Sequence, residues 1–358
     1  MEKLKTAIIG ATGVVGQQFA LALHNHPWFD LTCLAASERS AGKRYAEALR
    51  DERTKALMWF CDGVVPDALQ ELTVQNAMNL QLHDVDIVFS AVGAQVSISL
   101  DPRYAKDKPV ISTSAAFRYD DDVPILVPGV NSGHARLLEV QRRRMGWKGF
   151  ITTQPNCTTT GLVITLKPLV EAFGVSRVIL TSLQAVSGAG RSPGVIALDV
   201  IDNVIPYIPQ EEEKVQTEAR KILGRYEAEH IAPAKTAVSA TCTRINVTDG
   251  HTECVFASLG RESSAEEVKE VFERFQGDLA GLPSGPERMI VVNEDPFRPQ
   301  PRLDRNTCDG MATTVGRIRK DQVLDNGIKY VLVSHNTKMG AAKGAILVAE
   351  YLVQAGII

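Results

Sequence analysis

The chain predicts an α/β protein of two domains: a doubly wound parallel sheet first, then an α+β domain with a mainly antiparallel sheet. Three observations carry this. At 358 residues the chain exceeds the size at which a single hydrophobic core stops growing. Up to about residue 150, short apolar strands alternate with helical stretches, the pattern of parallel strands joined by crossover helices. Beyond that point the strands lengthen, become richer in Thr and Val, and follow one another through short turns.

Element by element, residues 5–10 form an apolar strand and 13–23 have helical periodicity. Strands follow at 30–37, 72–75, 85–92, 108–112 and 124–130, with a less regular stretch over 40–66. In the second half, strands are expected at 177–186, 236–247, 252–259, 289–293, 312–319 and 329–335. Helices are expected at 194–205, 211–223 and 264–276, and a last amphipathic helix at 340–354.

Composition narrows the function. A formal net charge of -3 gives no basis for binding nucleic acid or an anionic membrane surface, and Arg142-Arg143-Arg144 is too short to alter that. No apolar stretch reaches the roughly 20 residues that span a bilayer. Met1–Lys5 leads directly into a strand, without the apolar core of a signal peptide. The six cysteines are scattered without a CxxC spacing, so neither a metal site nor a disulfide framework is expected, and a reducing cytoplasm is.

Gly10-Ala11-Thr12-Gly13-Val14-Val15-Gly16 stands between the first strand and the first helix. Glycines there let main chain approach a pyrophosphate, and the helix start offers N–H donors. This predicts a Rossmann-like dinucleotide site, in a G-x-x-G-x-x-G variant of the usual spacing. At the end of the second strand, Ser37-Glu38-Arg39-Ser40 with Lys43 makes an anion-friendly run suited to the 2′-phosphate of NADP(H), with Glu38 as a competing acid.

Cys157 lies in Gln154-Pro155-Asn156-Cys157-Thr158-Thr159-Thr160-Gly161, ahead of an amphipathic helix. A helix mouth offers unpaired N–H groups and a positive dipole end, both of which favour a thiolate; a buried structural cysteine is the alternative. Thr243–Glu253 contains Asp249-Gly250, a hairpin signal, with Arg244 before it and His251 after it. A simple hairpin would put Arg244 and His251 on opposite faces, so a bulge or break near the turn is expected if both serve one site. Glu211 and Lys214 share a helix face, and Gln184 ends a strand that runs into the glycine loop Ser187-Gly188-Ala189-Gly190.

Together, GATGVVG, SERSAGK, PNCTTT, QAVSGAG, EEEK, RINVTDGHTE and NTKMGAAKGA resemble, in order and spacing over essentially the whole chain, the aspartate-β-semialdehyde dehydrogenase family, in the style of its archaeal and fungal branch. The resemblance implies NADPH-dependent reductive dephosphorylation of L-aspartyl-4-phosphate to L-aspartate 4-semialdehyde, on the route to lysine, threonine and methionine. It implies an NADP-binding domain over 1–155, a catalytic and dimerisation domain over 156–337, and a C-terminal helix, 338–358, packing back on the first domain. By motif position it makes Cys157 the nucleophile, His251 the acid/base and Gln184 the group that orients the acyl chain, with Asn156 among the oxyanion donors. Arg244 and Glu211 would hold the substrate carboxylate and amine, and Lys214 and Arg118 the phosphate. Gly10, Thr12, Gly13, Val14, Val15, Ser37, Arg39, Ser40, Ser90, Gly188 and Asn336 would line the cofactor. A homodimer or homotetramer is implied, with 40–66 and 193–210 as candidate interface segments. The departures are Cys-Thr-Thr where Cys-Ser-Thr is common, and Arg191 after the glycine loop, a cation near the cleft. Malonyl-CoA reductase, of the same architecture, is the alternative.

Overall fold

The computed structural model describes residues 2–190 and 197–358, which divide into two compact units. The first comprises residues 1–124, 135–154 and 345–358, and the second residues 125–134 and 155–344.

In the first unit, six strands form one parallel sheet: β1 (Leu4–Ile9), β2 (Phe29–Ala36), β3 (Val74–Asn76), β4 (Ile87–Ser90), β5 (Pro109–Ser112) and β6 (Phe150–Thr153). Their order is β3-β2-β1-β4-β5-β6 and every pairing is parallel, the doubly wound arrangement with its crossover beside β1. Central strands are buried on both faces, which is why Ala7–Ile9 and Ile87–Phe89 read as unbroken apolar runs. Phe150–Thr153 was not among the expected strands. Conversely, Pro124–Val130 forms no strand. Pro124 and Pro128 lack ladder donors, and Asn131 takes the local main-chain bonds: its Oδ1 accepts from Val127 N at 2.8 Å and its Nδ2 donates to Ile125 O at 2.8 Å. Within this unit His26 Nε2 meets buried Glu350 at 2.9 Å, and Arg142 donates to Ile357 O, which ties residues 345–358 to the sheet layers.

The second unit is built on a seven-stranded mixed sheet. Its strands are β7 (Val175–Gln184), β8 (Val204–Ile205), β11 (Ala237–Ile245), β12 (His251–Leu259), β13 (Ile290–Asn293), β14 (Thr313–Lys320) and β15 (Gly327–Ser334), while β9 (Arg225–Glu227) and β10 (His230–Ala232) form a separate hairpin. The order is β13-β14-β15-β12-β7-β11-β8, with β7–β11 and β13–β14 parallel and the other pairings antiparallel. Helices Cys157–Phe173, Glu211–Ile222 and Ala265–Arg274 cover one face. The other face leaves Ile179 47% exposed.

The expected hairpin at Asp249-Gly250 does not form. β11 and β12 are not neighbours, because β7 lies between them. The turn signal is real, since Gly250 has φ +94°, but the chain turns there to cross over a strand. The helix expected over 194–205 begins outside the described residues. Its described part holds one turn, Ala197–Val200, followed by β8. Arg191 also lies outside them, as does part of the 193–210 segment.

Candidate active site

Strand order brings the catalytic candidates of the second unit together. Arg244 on β11 pairs with Gln184 on β7. On the other side of β7, Thr252 faces Leu183, and the next step sets His251 beside Gln184; His251 in turn pairs with Ser334 on β15. Arg244, Gln184, His251 and Ser334 thus form one row across four strands, and side chains in one register share a face. All four are buried. The opposition expected between Arg244 and His251 disappears because a strand is interposed, with no bulge required.

Cys157 opens the helix Cys157–Phe173 above this row, and its Sγ lies 3.1 Å from His251 Nε2. The helix mouth is less open than expected. Asn156 is the N-cap, and its Oδ1 accepts from Thr158 N at 2.9 Å and Thr159 N at 3.2 Å. Its Nδ2 donates to Glu211 Oε1 at 2.7 Å, and its own N–H to Glu218 Oε2 at 2.6 Å. Asn156 is therefore largely engaged in holding the nucleophile's helix. Glu218, fully buried, was missed; the signal was its place two helical turns after Glu211 on the same face. Glu211 also meets Lys214 at 3.7 Å, the plain i,i+3 pair.

Arg244 Nη1 donates to Ala185 O at 2.8 Å and to Gln184 Oε1 at 3.4 Å, which leaves its Nε and Nη2 hydrogens available as a fork for a carboxylate. Burial pulls its pKa down, opposed by Cys157 and Glu211. Gln184 Nε2 donates to Ser182 Oγ. Gly188 is exposed, and a Cβ there would lie 3.1 Å from Arg244 Nη1, 3.1 Å from His251 Cε1 and 3.2 Å from its Nε2. The missing side chain is thus an opening between the two. Asn336 acts as a bracket: its Oδ1 accepts from Gly250 N at 2.8 Å and its Nδ2 donates to Ser187 Oγ at 2.8 Å. Close by, a Cβ at Gly340 would come within 3.0 Å of Cys157 Cβ.

Burial, reinforced by Arg244 and then His335, lowers the His251 pKa from 6.5 to about 3. Further along β12, Glu253 is fully buried, and desolvation raises its carboxyl well above the ordinary range. His335, buried and lowered to about 3 first by burial, was also missed, being hidden in the strand end before NTKMG.

In the first unit, the expected cradle fits a dinucleotide. Gly10 has φ +88°, and a Cβ on it would lie 2.6 Å from Ala91 O. A Cβ on Gly16 would collide with Gly10 O, so only glycine lets the helix Val14–Leu23 start so close to β1. Gly13 caps that helix with no side-chain bond and no acid in the first turn, so the Val14 and Val15 end presents its dipole to an anion. Thr12 O is engaged by Gln17 Nε2. Ser37 and Arg39 are exposed, and Arg39 has no partner among the described residues; Ser40 is buried and its N–H donates to Ser37 O. Lys43, by contrast, pairs with Glu52 at 3.2 Å. The Ser90 hydroxyl donates to buried Asp101 at 2.7 Å. Arg118 donates to two main-chain carbonyls, Gln154 O and Thr113 O, each at 2.9 Å.

Two family descriptions match the chain: "Semialdehyde dehydrogenase, NAD binding domain" over residues 5–138 and "Semialdehyde dehydrogenase, dimerisation domain" over residues 166–339. An aspartate-semialdehyde dehydrogenase of Methanothermobacter thermautotrophicus is 44% identical over 351 residues, 98% of this chain and 99% of that protein. The chain belongs to the aspartate-semialdehyde dehydrogenase family. Its homologue in Archaeoglobus fulgidus is 45% identical over 99% of this chain and 100% of its own. Among solved structures, the aspartate-semialdehyde dehydrogenase of Candida albicans with NADP superposes with a TM-score of 0.88 at 38% identity, covering 100% of both chains. Aspartate-semialdehyde dehydrogenase II of Vibrio cholerae complexed with ASA gives 0.79 at 27% identity, covering 99% of both chains.

Proposed function

We propose that the chain catalyses the reversible, NADPH-dependent reduction of L-aspartyl-4-phosphate to L-aspartate 4-semialdehyde and phosphate. One observation carries this beyond family membership: the Cys157 thiol lies 3.1 Å from His251 in a row that also holds the Arg244 fork. A thiol so placed attacks an acyl phosphate to give a thioester, which is a good hydride acceptor. NADPH, when bound, supplies that hydride. Gly10, Gly13, Val14 and Val15 would hold its pyrophosphate and Arg39, with Ser37 and Ser40, its 2′-phosphate. Arg244 would grip the substrate carboxylate bidentately, and Gln184 beside it would orient the acyl chain. Glu211 would take the amine, and Lys214 and Arg118 the phosphate. Asn156 has one amide hydrogen left for an oxyanion after capping and bonding Glu211, and acts chiefly by fixing the helix.

The working form we propose is a homodimer or homotetramer. The dimerisation-domain match and the Ile179 side of the seven-stranded sheet support it. We place the protein in the cytoplasm, the default for a chain whose six cysteines are scattered without a CxxC spacing; among the described residues no helix is long and apolar enough to cross a membrane. The test is a substrate panel with NADPH and NADH. Turnover of aspartyl phosphate with NADPH is expected. Turnover of malonyl-CoA in preference to aspartyl phosphate would overturn the assignment.

A further inference from the structure

The chain enters the helix Cys157–Phe173 through Asn156, a residue whose every polar atom is bonded. Pro155 has no N–H to offer, so the main-chain donor just ahead of Cys157 is that of Asn156. It donates to Glu218 Oε2 at 2.6 Å. The Asn156 carbonyl accepts from Thr160 N at 2.9 Å and from Thr160 Oγ1 at 3.0 Å. Its side chain accepts from Thr158 N and Thr159 N and donates to Glu211 Oε1 at 2.7 Å. Two of these bonds leave the nucleophile's helix, and both end on the helix Glu211–Ile222.

The two acids are seven residues apart, close to two full turns and about 10 Å along one helix face. Glu211 is 7% exposed and Glu218 is fully buried. A carboxyl so buried is unfavourable unless it is bonded, and here the bond goes to main chain. The grips differ in kind. Glu211 holds Asn156 through a side chain that can still rotate about χ1 and χ2. Glu218 holds the Pro155–Asn156 peptide itself, with no rotatable bond between the grip and the backbone. These partners lie 55 and 62 residues away in sequence, so nothing local to the nucleophile's turn supplies them.

We propose that Glu218 is a positioning residue for the nucleophile: its carboxyl fixes the peptide plane that leads the chain into Cys157, and so sets the sulfur at a defined place relative to Glu211 and Lys214 on Glu218's own helix. This rests on the function proposed above, in which one helix supplies the attacking thiol and the other the groups that hold the amine and the phosphate. Attack requires the sulfur close to the acyl carbon and aligned with it, and a misplacement of about 1 Å can cost about 10²-fold in rate. Glu218 acts through Asn156, so its removal shifts the thiol and leaves the cofactor cradle as it was.

Two variants of the full-length protein separate the bond from the fold. Glu218→Gln keeps an acceptor oxygen at the same reach, and Glu218→Met keeps the length without the acceptor. Both replacements are uncharged, so a difference between them reads the bond. Glu218→Met should show a kcat about 10²-fold below that of Glu218→Gln, with the same KM for NADP in both. Val215→Ala is the control: Val215 is fully buried on the same helix, and its side chain has no hydrogen bond to give Asn156. It should lower the urea midpoint and leave kcat nearly unmoved. Alkylation of Cys157 by iodoacetamide, followed on its own peptide by mass spectrometry, should be slower in Glu218→Met than in Glu218→Gln. Equal kcat or equal alkylation rates in those two variants would overturn the proposal, and so would a Val215→Ala that loses turnover as deeply as Glu218→Met. If Glu218→Met does not fold, Glu218→Asp, which keeps the acid and falls one methylene short, takes its place with the same outcomes. Alkylation needs no substrate. If the wild-type protein fails to reduce aspartyl phosphate, the proposed function falls, and the alkylation rates still decide whether Glu218 places the thiol.

Discussion

The dinucleotide cradle and the thiol site do their work with different parts of the chain. The cradle is made of main chain: a glycine at φ +88°, a helix start without a side-chain cap, and two glycines whose missing Cβ atoms permit the close approach. The thiol site is made of side chains delivered by strand order, in a row that spans β11, β7, β12 and β15. A main-chain site is damaged by adding atoms and tolerates changes that leave the backbone alone. A side-chain site is damaged by removing atoms, except where an opening has been kept.

The sharpest test of that contrast is Cys157→Ala, which should abolish turnover while the cradle still binds NADP with unchanged affinity, measured by calorimetry. Retention of more than a trace of activity would show that the nucleophile has been misassigned. Next is Gly188→Ala, which adds a methyl 3.1 Å from both Arg244 and His251. Overpacking of about 1–3 kcal/mol corresponds to a loss of roughly five- to 150-fold in kcat/KM. An unchanged kcat/KM would mean that the opening is not used by substrate. At the cradle, Gly10→Ala should cost about 1–3 kcal/mol of stability for the strained backbone, read as a lower urea midpoint, and NADP binding should weaken with it. Binding at full strength would show that the loop adapts. Arg39→Ala should raise KM for NADP by about tenfold, the scale of one exposed charge-assisted contact, and leave KM for NAD nearly unmoved. Equal losses for both cofactors would make Arg39 a support of the loop.

The smallest effect at neutral pH comes from the buried histidines. Burial takes His134 from 6.5 to about 4, and His251 and His335 to about 3. Below pH 6.5 the unfolded chain binds protons that the native state refuses, so stability falls as pH drops from about 6.5 towards 4 and then 3. Urea midpoints measured across that range check it; a flat profile would show that these rings are solvated or paired. With the His251 pKa lowered to about 3, this residue's own titration should put no limb in the rate near pH 6.5.

The same division explains what was legible. The cradle could be read from seven consecutive residues, because a strand, a glycine loop and a helix start are local facts. Cys157, Arg244, His251 and Gln184 could be named from their motifs, but how they meet could not. The Asp249-Gly250 turn predicts a hairpin on local grounds, and nothing within that run reveals β7 between its two arms. The Pro124–Val130 strand failed for a related reason: apolar content suggested a ladder, whereas two prolines and the Asn131 side chain remove its hydrogen bonds. Asn156 was legible as a neighbour of the nucleophile and illegible as a cap shared with Glu211, because its partner arrives from another helix. Asn336, expected at the cofactor, has both ends of its amide bonded within the second unit, to Gly250 and Ser187.

The interposed strand also bears on the order of events during folding. Cys157 and His251 are 94 residues apart in sequence, and the strand that aligns the imidazole with Arg244 must be seated before the last of the three closes beside it. Such non-local, partly parallel pairing forms slowly, because the loop entropy is lost before the contacts that offset it are made. A chain that has collapsed but not yet completed this sheet holds an ordinary thiol. Thiol reactivity characteristic of the native site should therefore emerge late in refolding, after most secondary structure, and a rapid thiol-labelling pulse could time the completion of the sheet at a single atom.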